Sequence, residues 1–205
     1  MADMISAIVL AAGASRRMGR PKPLISLGGR TILQHVLDHL RAADVDEIVV
    51  VLGHRAEDIL PTLRGMRCRV VINYHYALGM SSSIQRGLQV VHPRAGAVLV
   101  ALGDQPYVRP DVINRLLRAF RRNYRSIVVP TFGGQRGHPV LFGRKVWPRL
   151  LNLRGDVGGK KLLRRHPEDV FEVEVDDRGV LLDLDRPEDA DRKASSGDAG
   201  EVPRP

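Results

Sequence analysis

Cysteine is almost missing from this chain. Cys68 is the only one in 205 residues, which excludes a disulfide scaffold and any zinc or iron–sulfur site built from several thiolates. Aromatic residues make up 4%, too few for the stacking surface that single-stranded nucleic acid needs. No apolar run reaches the roughly 18 residues that span a bilayer. The opening MADMISAIVLAAG has no basic start before its strand-like run, so neither a membrane span nor a secretory leader is expected, and the setting is read as cytoplasmic. Lysine is scarce as well, 5 residues against 27 arginines, yet the net charge is +9. Such a balance suits polyanions, whether nucleic acid or nucleotide phosphates. The one dense basic cluster, Arg118, Arg121, Arg122 and Arg125, falls at a predicted helix end with few aromatics among it, and nucleic acid is not the expected partner.

What is present is a rhythm of apolar runs and amphipathic stretches. Ile5 to Leu10, Glu47 to Leu52, Arg69 to Ile72, Ala97 to Leu102 and Ser126 to Pro130 read as strands buried on both faces. Between them, Thr31 to Ala43 (with Thr31 as N-cap), Ala56 to Leu63, Ser81 to Val91 and Asp111 to Arg122 read as helices. This alternation predicts an α/β fold, a single-domain, Rossmann-like three-layer sandwich around a mostly parallel sheet. The last third supplies short strands at Val140 to Phe142, Phe171 to Val175 and Val180 to Leu184, the last two joined by a hairpin turn at Asp176-Asp177-Arg178-Gly179. At least one of them is expected to run antiparallel at the sheet edge. Residues 1–194 form the expected domain, and from Ser195 the apolar period ends, predicting a disordered tail over 195–205.

In an open parallel sheet, ligands bind beyond the carboxyl ends of the strands. Three features fall at such ends. Leu10-Ala11-Ala12-Gly13 leaves the first strand with small residues that let a ligand approach the backbone, followed by Arg16, Arg17 and Lys22 as fixed positive charge. It is neither a Walker A loop nor GxGxxG. Gly103-Asp104-Gln105-Pro106 ends the fourth predicted strand, where a carboxylate can hold Mg²⁺ bridged to phosphates. In Leu182-Asp183-Leu184-Asp185-Arg186-Pro187-Glu188, strand alternation puts both aspartates on one face, Asp185 also opens a capping-box-like helix start, and Asp183 is the better candidate for a second metal ligand or a substrate contact.

With these motifs assembled, the chain resembles the MobA-like nucleotidyltransferase superfamily, in particular its molybdenum cofactor cytidylyltransferases. LAAGASRRMGRPKPL matches the family opening. Gly79-Met80-Ser81-Ser82-Ser83, Gly103-Asp104-Gln105-Pro106, Gly137-His138-Pro139, Gly155-Asp156-Val157-Gly158 and Asp183-Leu184-Asp185-Arg186-Pro187-Glu188-Asp189 follow in family order. Arg186 stands where the family often has Thr. The resemblance implies catalytic roles for Lys22, Arg17 and Asp104. It implies nucleotide binding by Leu10, Ala11, Ala12, Gly13, Arg17, Lys22, Gly79, Ser82 and Asp104, acceptor binding by Ser83, Gln105, His138 and Asp156, and Mg²⁺ on Asp104 and Asp183. Ala11-Ala12, in place of the Ala-Gly-Gly of guanylyltransferases, favours CTP over GTP.

The expected activity is Mg²⁺-dependent transfer of CMP from CTP to the phosphate of a molybdopterin-type cofactor, with release of pyrophosphate. A transient apo-molybdoenzyme partner would receive the product. The acceptor phosphate is largely dianionic at neutral pH, so no general base is required. The alternatives are a GTP-using guanylyltransferase, transfer to another phosphorylated acceptor, and a pterin-cofactor carrier. His138 is expected to pack or hydrogen-bond rather than move a proton, His35 and His39 to occupy an ordinary helix face, and Trp147 to anchor packing.

Overall fold

A computed structural model describes residues 4–14, 21–123, 126–156 and 158–184. In chain order the strands are β1 (Met4–Ala11), β2 (Ser26–Leu27), β3 (Arg30–Thr31), β4 (Glu47–Leu52), β5 (Arg69–Ile72), β6 (Ala95–Leu102), β7 (Ile127–Phe132), β8 (Gln135–Arg136), β9 (Val140–Gly143) and β10 (Val170–Glu174). The helices are α1 (Ile32–Arg41), α2 (Ala56–Ile59), α3 (Met80–Leu88), α4 (Pro110–Arg122), α5 (Trp147–Leu151) and α6 (Lys160–Arg165). The capping box expected of a good N-terminus is complete at α1: the Thr31 hydroxyl accepts from the Gln34 amide at 3.2 Å and the Gln34 side chain accepts from the Thr31 amide at 2.9 Å.

The main sheet runs β10-β7-β9-β6-β1-β4-β5, with β8 paired to β7. Its strands are apolar on both faces because both faces are covered. Ile5, Ala7 and Val9 of β1 join Val50 and Leu52 of β4 and Leu99 of β6 under α1 and α4. The alternate residues Ile8, Val49, Val51, Val98 and Val100 meet Ile84, Leu88, Leu150, Leu162 and Leu163 of α3, α5 and α6 on the opposite face. The chain is therefore the expected three-layer α/β sandwich.

Two expectations about the last third fail. The reversed strand is β9, and it lies inside the sheet between β6 and β7, not at the edge, where β10 instead pairs parallel with β7. The reversal matters for the site, because it starts β9 at the edge where β1, β4 and β6 finish, and so carries Gly137-His138-Pro139 there. The 176–179 hairpin and the Val180–Leu184 strand do not form. Asp177 instead accepts from the Gly179 amide at 2.8 Å and starts a 3-10 turn over Arg178–Leu181, a local side-chain bond that outcompetes the ladder. The segment then crosses the sheet edge, with the His138 amide donating to Val180 at 2.9 Å and the Leu184 amide to Asp104 at 3.1 Å. Asp183 thus stands on no strand, and the strand face it was expected to share with Asp185 is not formed over the described residues. Asp185, its helix start and the 195–205 tail lie outside the described residues.

Candidate active site

The carboxyl ends of β1 and β6 are held against each other by the absence of side chains. The Gly103 amide donates to the Leu10 carbonyl at 2.9 Å, and a Cβ on Gly103 would stand 3.0 Å from both that oxygen and the Ala11 methyl. Between these ends, the turn after β1 and the start of α3 opens a cleft of about 640 Å³, within the size range of small-molecule sites. Leu10, Ala11, Ala12 and Gly13 form its floor, and Lys22, Gly79, Ser83, Asp104, Asp156 and Asp183 all line it. Residues from six separate stretches of sequence therefore meet in one place.

Lys22 reaches the cleft because the following turn is pinned. Pro21 precedes a 3-10 turn over Lys22–Leu24, and Ile25 behind it packs with Ile32, Leu184 and Tyr107. Since Leu184 is also bonded to the Asp104 main chain, this apolar cluster fixes the spacing of the two charged groups. Lys22 Nζ donates to Asp104 Oδ2 at 3.3 Å, with both side chains mostly buried. Burial pushes the Asp104 carboxyl above its ordinary value, the neighbouring Lys22 ammonium opposes that shift, and the Asp183 carboxylate adds to it. Two carboxylates that resist sharing negative charge, in a cleft and supplying hard oxygen donors, fit a divalent cation.

The opposite wall is the start of α3. Gly79 sits at φ 98°, ψ 178°, and a Cβ there would overlap the Gly155 carbonyl carbon and the Asp156 amide. The close approach lets the 155–156 loop cap the helix from across the cleft. Asp156 Oδ1 accepts from the Met80 amide at 3.2 Å, and the Gly155 carbonyl accepts from the Ser81 hydroxyl at 2.8 Å. Asn73, almost fully buried, donates to the Ser82 and Ser83 hydroxyls at 2.9 and 3.0 Å. Ser83 still lines the cleft, whereas the Ser82 hydroxyl is turned towards the His75 and Gly79 carbonyls.

Two more candidates sit behind the cleft wall. Gln105 is 5% exposed and donates from Nε2 to Asp183 Oδ1 at 2.7 Å. The His138 ring is driven down to a pKa of about 4, chiefly by burial and then by Lys160, against the pull of Asp183. It is neutral near pH 7 and cannot serve as a cationic phosphate ligand. The expected packing roles fit elsewhere: His35 bonds the Leu27 carbonyl at 2.7 Å, and Trp147 donates to Phe142 at 3.2 Å under the Arg144 guanidinium. Arg16, Arg17, Arg125 and Val157 lie outside the described residues. Tyr76, Ala77 and Met80 also line the cleft and were not anticipated. Met80 could have been found from its place in Gly79-Met80-Ser81, while Tyr76 carries no signal in the sequence.

The model of the MobA-like NTP transferase domain matches residues 7–170. The chain belongs to this family. It is a nucleotidyltransferase of the MobA-like class, sharing that class's mostly parallel mixed sheet. Among curated relatives, nicotine blue oxidoreductase of Paenarthrobacter nicotinovorans is 31% identical over 189 residues, 88% of this chain and 92% of that protein. The solved structure of Rv0371c from Mycobacterium tuberculosis H37Rv superposes with a TM-score of 0.83 at 34% identity, covering 96% of this chain and all of the other. A manganese complex of Rv0371c matches at a TM-score of 0.73 and 32% identity over 85% of this chain and 89% of that one. Among the described residues, no helix is long and apolar enough to cross a membrane.

Proposed function

We propose that this MobA-like enzyme transfers CMP from CTP to the phosphate of a molybdopterin-type cofactor. An acceptor phosphate oxygen forms a bond to the α-phosphorus, the α–β phosphoanhydride breaks, and pyrophosphate leaves with the electron pair. The observation that carries the reading is the convergence of Lys22, Asp104 and Asp183 on the small-residue floor Ala11-Ala12-Gly13 in one cleft. Asp104 and Asp183 would hold a magnesium or manganese ion, which would supply charge neutralisation for the triphosphate, and the manganese complex of Rv0371c supports a divalent site of this kind.

The chain's own residues do the rest. Lys22 binds and orients the triphosphate once its bond to Asp104 is given up, and it meets the charge that grows on the departing pyrophosphate. Arg17 is assigned the same task from the family motif. The floor and Gly79 admit the nucleoside against backbone, and Ser83 and Asp156 face the acceptor side. Ser82, Gln105 and His138 act from behind the wall, shaping it without touching substrate. No side chain needs to take a proton from a phosphate that is already dianionic.

Incubating the purified protein with each of the four nucleoside triphosphates, magnesium or manganese, and molybdopterin tests this by pyrophosphate release. CTP alone should support release, and only with the acceptor present. Release with GTP would move the chain to guanylyl transfer, and tight pterin binding without release to a carrier. The name of the relative nicotine blue oxidoreductase supports a distinct reading, oxidoreduction. Redox turnover of nicotine blue without pyrophosphate release would favour it.

A further inference from the structure

Behind the cleft, on the α1 side of the sheet, lies a small cavity of about 20 Å³ lined by Val36, His39, Leu40, Ala101, Gln105 and Pro139, among others. Most of this lining is apolar, yet two of its residues, His39 and Gln105, each carry a buried polar atom, Nδ1 and Oε1, with no hydrogen-bond partner among the described residues. Burying an acceptor unpaired costs about 1–3 kcal/mol, so two such atoms around one small space call for a common partner. The volume exceeds the roughly 10–15 Å³ that one water requires. A water donates to Gln105 Oε1 and either donates to or accepts from the imidazole nitrogen, so one molecule satisfies both whichever tautomer the ring adopts.

We propose that a single structural water shared by His39 and Gln105 makes Gln105 the positioning residue for Asp183. The amide is used at both ends. Its Nε2 holds Asp183 Oδ1 at 2.7 Å, while its Oε1 faces away from the cleft. With the amide turned over, its oxygen would meet a carboxylate oxygen, acceptor against acceptor. A water donating to Oε1 opposes that turn and locks the donor towards Asp183. One carboxylate oxygen is thereby fixed and the other left for a ligand, and the neutral amide removes none of the charge a cation needs. Asp183 stands on a segment without strand pairing, so it gains more from such a strut than Asp104, which the Lys22 pair and the end of β6 already hold. The strut ties the cleft to the last turn of α1. The inference rests on reading Asp183 as a metal carboxylate.

The test combines a high-resolution crystal structure of the protein with manganese binding followed by electron paramagnetic resonance in the presence of CTP, which requires no turnover. The wild type should show one water within hydrogen-bond distance of both His39 Nδ1 and Gln105 Oε1. Gln105→Met and His39→Phe should each weaken manganese binding about tenfold, the usual loss when a partner that orients a ligand is removed. His39→Gln, which keeps a polar group facing the cavity, should stay near wild type. A dry cavity, or His39→Phe binding manganese as the wild type does with Asp183 unmoved, would overturn the strut. If Asp183→Asn also leaves manganese binding unchanged, the metal reading fails separately, and the water density alone decides whether Gln105 is anchored as proposed.

Discussion

Gly79→Ala puts the architecture of the cleft under the most direct strain. At φ 98°, ψ 178° the residue occupies backbone space that is essentially reserved for glycine, and an L-residue there costs about 1–3 kcal/mol. The added methyl would also push into the Gly155–Asp156 peptide. The loop must then retreat and loosen the bonds of Asp156 to Met80 and of Gly155 to Ser81, each contributing about 1 kcal/mol. Backbone and hydrogen-bond losses together give a destabilisation of about 3–5 kcal/mol, a large fraction of a typical total of about 5–15. Urea unfolding reads it as a lower midpoint at unchanged slope. Gly65→Ala is the matched control: φ is 76° there but a methyl meets nothing within 4 Å, so only the backbone cost of about 1–2 kcal/mol should appear. The difference between the two variants isolates the contact across the cleft. If Gly79→Ala loses no more than Gly65→Ala, the 155–156 loop does not depend on that approach and the wall has been misread.

Other perturbations separate charge from packing. Asp104→Asn should lower turnover by at least about a hundredfold, since a metal-bound carboxylate contributes several kcal/mol in the transition state, while thermal stability at pH 7 holds or rises. The sign follows from the shift. A carboxyl raised in the fold contributes stability that fades as pH rises from its unfolded value, about 3.9, through the higher folded one. Divalent-metal activation in the wild type should correspondingly weaken on acidification before an ordinary carboxylate would protonate. His138, held at about 4, binds its proton less tightly folded than unfolded. Stability should therefore rise with pH from about 4 to 6.5, and His138→Phe should remove up to about 2 kcal/mol of the difference between pH 5 and 7 in urea titrations. Arg118→Glu with Arg122→Glu should leave nucleotidyl transfer unchanged in the pyrophosphate assay, because those side chains face a groove by β10 away from the cleft.

Much of this was legible in the chain because it depends on local pattern. Arg69–Ile72 formed as expected, Thr31 capped α1, and the apolar runs of β1, β4 and β6 announced strands covered on both faces. Small residues at strand ends are a signal readable without coordinates, and Gly13 and Gly103 marked the cleft. What escaped depends on competition at a distance. Nothing in Val140–Gly143 says whether a reversed strand will sit at an edge or between two neighbours, since β9 is apolar on both faces in either case. The alternation in Val180–Leu184 looked like a strand, but Asp177 closes a turn onto Gly179 and Leu184 is drawn into a cluster with Ile25 and Ile32, over 150 residues away in sequence. The resemblance implied acceptor binding by Gln105; only the fold shows that its side chain donates to Asp183.

The central claim is that Lys22 and Asp104 grip one metal–triphosphate from two sides. Calorimetric titration of CTP with manganese into the wild type, Lys22→Met and Asp104→Asn tests it directly. Lys22→Met should weaken CTP binding at every manganese concentration. Asp104→Asn should abolish the manganese dependence of CTP binding while leaving weak metal-free binding intact. Wild-type affinity and wild-type manganese dependence in both variants would place the triphosphate elsewhere and contradict the account.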